Sequence, residues 1–130
     1  MVFAEELGIP AFPSFAFRYD ILELNTAIKP WVFAYLRDRQ GFDRALYFDP
    51  DILVADALPE LEAALESHQA VLTPHLARPL DNEHRPSERH IRMAGIYNLG
   101  FVGLRLDAST AGFLDWWQER LHRFCLVDPH

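Results

Sequence analysis

Apolar and polar positions fall in short blocks along the chain. Met1–Ala4 is apolar and reads as the tail of a strand, and Glu5–Gly8 as one helical turn. Pro10 and Pro13 predict a loop, in which Phe12, Phe15 and Phe17 recur before Arg18 and Asp20 bring charge. Asn25 or Thr26 can cap a helix running to about Arg39, with Pro30 fitting only near its first turn. Trp31–Leu36 is apolar nearly all round, which predicts a buried helix. Ala45–Phe48 has the short apolar, aromatic character of a buried central strand. Ile52–Val54 reads as a second extended run. Leu58, Leu61 and Leu65 then recur at helical spacing on a peripheral amphipathic helix, Ala57–Ser67. Ala70–Thr73 is strand-like, and Pro74–Ala94 is a long polar loop. Tyr97–Leu104 returns to strand with Gly100 and Gly103 inside it, where glycine marks close approach of backbone or ligand. Asp107 can cap a last helix with a buried stripe of Phe113, Leu114, Trp117, Leu121 and Phe124. Strands alternating with helices predict an α/β domain with a mostly parallel sheet.

Composition narrows the partners. The 130 residues amount to one domain or a piece of one, and half of them are hydrophobic, enough for a core. A formal charge of −7 argues against nucleic acid or an anionic membrane as the main partner. The single cysteine, Cys125, excludes an internal disulfide and fits a reducing compartment. No apolar run is long enough for a membrane span, and the start lacks a signal peptide's basic residues, so a cytoplasmic location is expected.

The candidate chemistry sits where the Ala45–Phe48 run ends in Asp49-Pro50-Asp51. Proline pushes the preceding residue into the extended region, so Asp49 is expected to continue the strand. In an extended segment, Asp49 and Asp51 would project to the same side, about 6.6 Å apart. Two carboxylates at that spacing repel by roughly 2–3 kcal/mol at an effective dielectric of ~20, and a divalent cation between them removes that repulsion. Oxygen ligands favour Mg²⁺ or Mn²⁺ over zinc. The competing reading is a solvated turn, since Asp and Pro are both turn residues.

Several segments, in the order Asn25-Thr-Ala-Ile-Lys-Pro30, Tyr47-Phe-Asp-Pro-Asp-Ile52, Leu72-Thr-Pro-His75, Tyr97-Asn-Leu-Gly-Phe101 and Trp116-Trp-Gln-Glu-Arg-Leu121, together resemble a known family. From about Phe15 to Pro129 the chain is similar to bacterial GT-A type glycosyltransferases, near the family 8 retaining enzymes that use nucleotide sugars. The resemblance implies a mostly parallel, Rossmann-like sheet of the GT-A type. It implies that Asp49 and Asp51 hold Mn²⁺ or Mg²⁺ on the diphosphate of a nucleotide-diphosphate sugar donor. The acceptor, a glycan, lipid or protein, is not named by the sequence. Lys29 matches a lysine near the donor phosphates or sugar, its rival reading being a solvated lysine at a helix start. Asn98 matches the asparagine facing the sugar site, with a structural hydrogen bond as its rival. The family also has an earlier strand for the base and a later histidine on the metal, and this sequence supplies neither. Residues 1–130 are therefore expected to be the central part of one such domain, with exposed edges that favour self-association.

Two other readings stay open. An apolar strand ending in Asp-x-Asp also occurs in haloacid-dehalogenase-like phosphatases, where Asp49 would be the nucleophile and Asp51 the acid/base. There Gly-Thr usually follows the second Asp, whereas here it is Ile52-Leu53. A non-catalytic remnant that binds a nucleotide sugar, or nothing, is the third reading. His75, His84 and His90 fit no helical ligand pair and read as loop histidines. Arg78, Arg85, Arg89 and Arg92 make the long loop basic, suited to close over phosphates or to lie solvated. Trp116 lies off the last helix's stripe, where it could face a neighbouring segment or a sugar.

Overall fold

The computed structural model describes residues 1–79 and 87–125. A short 3-10 turn at Ala4–Leu7 leads to three helices, α1 (Phe12–Phe17), α2 (Ile21–Ala27) and α3 (Lys29–Asp38). Strand β1 (Arg44–Phe48), helix α4 (Pro59–Ser67), strand β2 (Ala70–Pro74), helix α5 (Glu88–Ala94), strand β3 (Tyr97–Arg105) and helix α6 (Ala108–Phe124) follow. The class is mixed α/β. The chain divides into a helical unit, Met1–Ala45 with Leu104–His130, and a sheet unit, Leu46–Gly103. Among the described residues no helix is long and apolar enough to cross a membrane.

Local sequence explains the helix ends. The Asp20 carboxylate accepts from the N–H groups of Leu22 and Glu23, both at 2.8 Å, and the Glu23 carboxylate accepts from the Asp20 N–H at 3.0 Å. This reciprocal capping box starts α2 earlier than the expected cap at Asn25 or Thr26. Pro30 cannot donate the bond that would carry α2 onward, so the expected single helix to Arg39 is two, parted at Ile28. Pro13 opens α1 instead of breaking it, which corrects the expected loop. Asp107 caps α6 as expected, accepting from the Ser109 N–H at 2.9 Å.

In the helical unit Phe15 is the centre. Its ring lies 5.1 Å from Tyr19, 5.4 Å from Trp31 and 5.4 Å from His122. The last turn of α6 offers carbonyls with no partner in the helix. The Tyr19 hydroxyl donates to Leu121 O at 2.7 Å and the Arg18 guanidinium to His122 O at 2.6 Å, tying that turn to the end of α1. Of the stripe expected on α6, Leu114 and Trp117 are buried, while Phe113 and Phe124 are exposed. The helix packs on α2 and α3 over a narrower face than its apolar pattern predicts.

The sheet differs from the expected parallel one. Its order is β1-β3-β2, and β3 runs antiparallel to both neighbours. Bonds from Asp49 N to Gly100 O (2.8 Å) and from Leu106 N to Asp43 O (2.7 Å) fix the register of β1 on β3. In that register Phe48 faces Phe101, at 5.1 Å between rings, and Leu46 faces Gly103. Because β3 opposes both, β1 and β2 run the same way and are joined through α4. The alternation of strand and helix in the sequence reveals this crossover but not the reversed strand between its two members, because apolar runs do not encode direction. Hence β3, with Val102, Gly103 and Leu104 buried, is the central strand, and β1 is an edge among the described residues. Ile52–Val54 joins no described strand and is exposed. The stretch expected as loop from Pro74 to Ala94 contains α5.

Candidate functional site

The pleat of β1 points Tyr47 and Asp49 to one side, since residues two apart share a face. The Tyr47 hydroxyl donates to Asp49 Oδ1 at 2.9 Å. The register places Asp49 opposite Gly100, and two residues earlier on β3 Asn98 shares the Gly100 face. Asn98 Oδ1 accepts from the Gly100 N–H at 2.7 Å. A Cβ at Gly100 would sit 2.9 Å from Asn98 Oδ1, 3.3 Å from Asp49 Oδ2 and 3.6 Å from Ile52 Cδ1. The missing side chain is thus what lets a carboxylate oxygen and an amide oxygen converge over one strand position. This is the close approach expected of a glycine within a strand.

After Asp49 the strand geometry ends. Ile52 N donates to Asp49 O at 3.0 Å, closing a turn with Pro50 and Asp51 at its centre. Proline presets the first central position of such a turn, so Asp51 leaves the extended path, and the expected alignment of the two carboxylates by the pleat does not apply. Both still act on Tyr47. Burial pushes its hydroxyl pKa up, and the bond to Asp49 and the negative charges of Asp49 and Asp51 push it further. The phenol therefore remains a protonated donor through the neutral range.

Asp49, Asp51 and Asn98 belong to the sheet unit, and Lys29 to the helical unit. Lys29 is not the solvated lysine of its rival reading. It is 2% exposed at the start of α3, beside buried Pro30 and Trp31. Burial and the Glu23 charge push the Cys125 thiol pKa up, and the Lys29 charge opposes them. Asn98 has the structural hydrogen bond of its rival reading, and that bond engages its oxygen. The side chain is exposed, and its Nδ2 donates to no described residue.

Carboxylate oxygens of the kind that Asp49 and Asp51 carry suit Mg²⁺ or Mn²⁺. Among the described residues no group of three or more His, Cys, Asp and Glu side chains is gathered for a metal. Mg²⁺ is usually bound by one or two carboxylates with substrate phosphates completing its shell, so Asp49 and Asp51 are residue types that such an ion takes.

The remaining candidates make other contacts. His75 Nδ1 is bonded to Gly95 O at 2.8 Å and His90 Nδ1 to Ser87 Oγ at 2.6 Å, both bonds that fix nearby chain. His84 and Arg85 lie outside the described residues. Arg78 and Arg92 line a hollow of about 310 Å³ with Leu76, Ile91, Ile96 and Glu88, and Arg89 is exposed on α5. Trp116 is half exposed and tilts on Phe113 at 6.0 Å, while Trp117 is buried.

The sequence pattern does not single out Tyr47 as a site residue, nor tie Gly100 to one. The signal for Tyr47 is its place two residues before Asp49 on a strand, and that for Gly100 its place two residues after Asn98. Comparison with family models, with curated proteins and with solved structures found no match in any of the three.

Proposed function

We propose that the chain carries the donor-binding face of a metal-dependent, retaining glycosyltransferase that takes a sugar from a nucleotide-diphosphate sugar. The finer fold reading, a central piece of a GT-A-like domain, belongs to the same proposal. The observation that carries it is the convergence of Asp49 Oδ2 and Asn98 Oδ1 over Gly100, beside the Asp49-Pro50-Asp51 turn. Asp49 and Asp51 are the residues that would hold Mn²⁺ or Mg²⁺. When bound, the cation supplies Lewis-acid neutralisation of the leaving nucleoside diphosphate. Asn98, its oxygen fixed by the Gly100 N–H, presents two amide donors to a sugar hydroxyl, a positioning role because an amide does not titrate near neutral pH. Lys29 is buried at the start of α3 in the helical unit and takes no part in the proposed donor binding.

The test is calorimetric titration of the full chain with nucleoside diphosphates and sugar phosphates, with and without Mn²⁺. Mn²⁺-dependent binding of a nucleoside diphosphate is expected. Mn²⁺ at 100 times its Kd should stabilise the fold by about 2.7 kcal/mol. Asp51→Asn should remove both effects with the fold intact. Metal-independent binding would overturn the reading. Phosphate release from sugar phosphates through a covalent aspartyl-phosphate on Asp49 would replace it with the phosphatase.

A further inference from the structure

We infer that Tyr47 is a positioning residue for the metal site, fixing which oxygen of Asp49 faces the cation; the inference rests on the metal-dependent reading above. A carboxylate at a strand end can turn about two side-chain torsions, and either oxygen can lead. The Tyr47 hydroxyl removes that choice. It comes from the same face of the same strand and donates to Oδ1 at 2.9 Å. With Oδ1 so engaged, Oδ2 is the oxygen that a Cβ at Gly100 would meet, at 3.3 Å, at the same strand position that Asn98 Oδ1 approaches. One end of the carboxylate is held by a phenol, and the other lies over the strand position opposite Asp49.

Tyr47 is suited to this. Its ring is half-buried in β1 opposite Val102, so the hydroxyl is delivered by a rigid body with few torsions to lose. Outer groups that hydrogen-bond a ligating carboxylate set its direction and strength, and their loss typically weakens metal affinity by about 10- to 100-fold. Phenylalanine has the same ring without the donor, which makes Tyr47→Phe the informative change.

The experiment measures Mn²⁺ affinity of the full chain by calorimetry for the unaltered protein and for Tyr47→Phe, with the metal-free thermal midpoint of each. A drop of about 10- to 100-fold in affinity, with the metal-free midpoint little changed, supports the inference. Equal affinity overturns it, and a lowered midpoint with equal affinity assigns Tyr47 a purely structural role. A second measurement needs no variant. Mn²⁺ bound to Asp49 should perturb the phenol that bonds it, giving a tyrosine ultraviolet difference signal that saturates with the calorimetric isotherm. Mn²⁺ binding without that signal overturns the inference while sparing the metal reading. No Mn²⁺ binding by the unaltered chain overturns both.

Discussion

The two units bury their aromatic residues to different depths. In the helical unit Phe15 is 1% exposed and surrounded by Tyr19, Trp31 and His122, and the ring cluster holds α1, α3 and α6 together. In the sheet unit Tyr47 is half-buried and its hydroxyl is engaged by a carboxylate. Among the described residues of that unit the buried large apolar side chains are Leu65 and Val102, while Ile52, Leu53, Val54, Met93 and Ile96 are exposed. Buried apolar side chains are therefore concentrated in one unit, and Asp49, Asp51 and Asn98 lie in the other. A site built on the less buried unit can take up a charged ligand without unpacking a core, and its local stability is correspondingly lower.

The largest expected effect breaks the comparison outright if it fails. Phe15→Ala removes the ring on which three others pack, and the loss should be about 3–5 kcal/mol, read from urea unfolding. Leu65→Ala, in the sheet unit, should cost less. An equal or larger loss at Leu65 would mean that the sheet unit is as firmly built as the helical one.

A pair of glycines on β3 sharpens the contrast within the sheet unit. A Cβ at Gly103 would meet Leu46 Cδ2 at 3.0 Å, Val71 Cβ at 3.4 Å and Leu65 Cδ1 at 3.5 Å, an apolar packing contact. Gly103→Ala should cost about 1–3 kcal/mol by overpacking. Gly100→Ala meets a polar oxygen instead and must displace the Asn98 amide from its bond to the strand, at about 1 kcal/mol. For ligands the ranking should invert. Gly100→Ala should weaken Mn²⁺ and nucleoside-diphosphate binding more than Gly103→Ala does, in the same calorimetric titration.

How much is legible in the sequence differs from element to element. The cap at Asp107 and the leucine spacing of α4 are local signals, and the structure follows them. The Asp20-x-x-Glu23 box is equally local, and it outcompetes Asn25 and Thr26 as a helix start because it satisfies donors at both of its ends. Strand direction is not local. Nothing in Tyr97–Arg105 records that it lies between β1 and β2 and runs against both, because pairing is decided by long-range contacts. The site divides in the same way. Asp49 and Asn98 stand out by residue type in apolar strands, but their meeting over Gly100 depends on the β1–β3 register. Asp51 is expected on the pleat, and the turn chemistry of Pro50 takes it off.

The smallest expected effect concerns the rim of the helical unit, where charge rather than burial is at work. Arg37 holds Asp38 through Nε at 2.6 Å and Nη2 at 3.1 Å. This hydrogen-bonded guanidinium lowers the Asp38 pKa below its usual value. A carboxyl whose folded pKa is depressed stabilises the fold above its unfolded pKa, about 3.9, and that contribution disappears as pH falls through the lower folded value. Asp38→Asn should therefore lower the thermal midpoint slightly near pH 7, and the gap to the unaltered protein should close as the solution is acidified. The pair is partly exposed, so the gap should also shrink with added salt. The Asp115 charge acts on Arg37 as well and limits the loss when Asp38 is neutralised. A gap that stays constant from neutral to acid pH would trace the effect to packing at the end of α3, and the rim would then belong with the Phe15 core rather than with its charged surface.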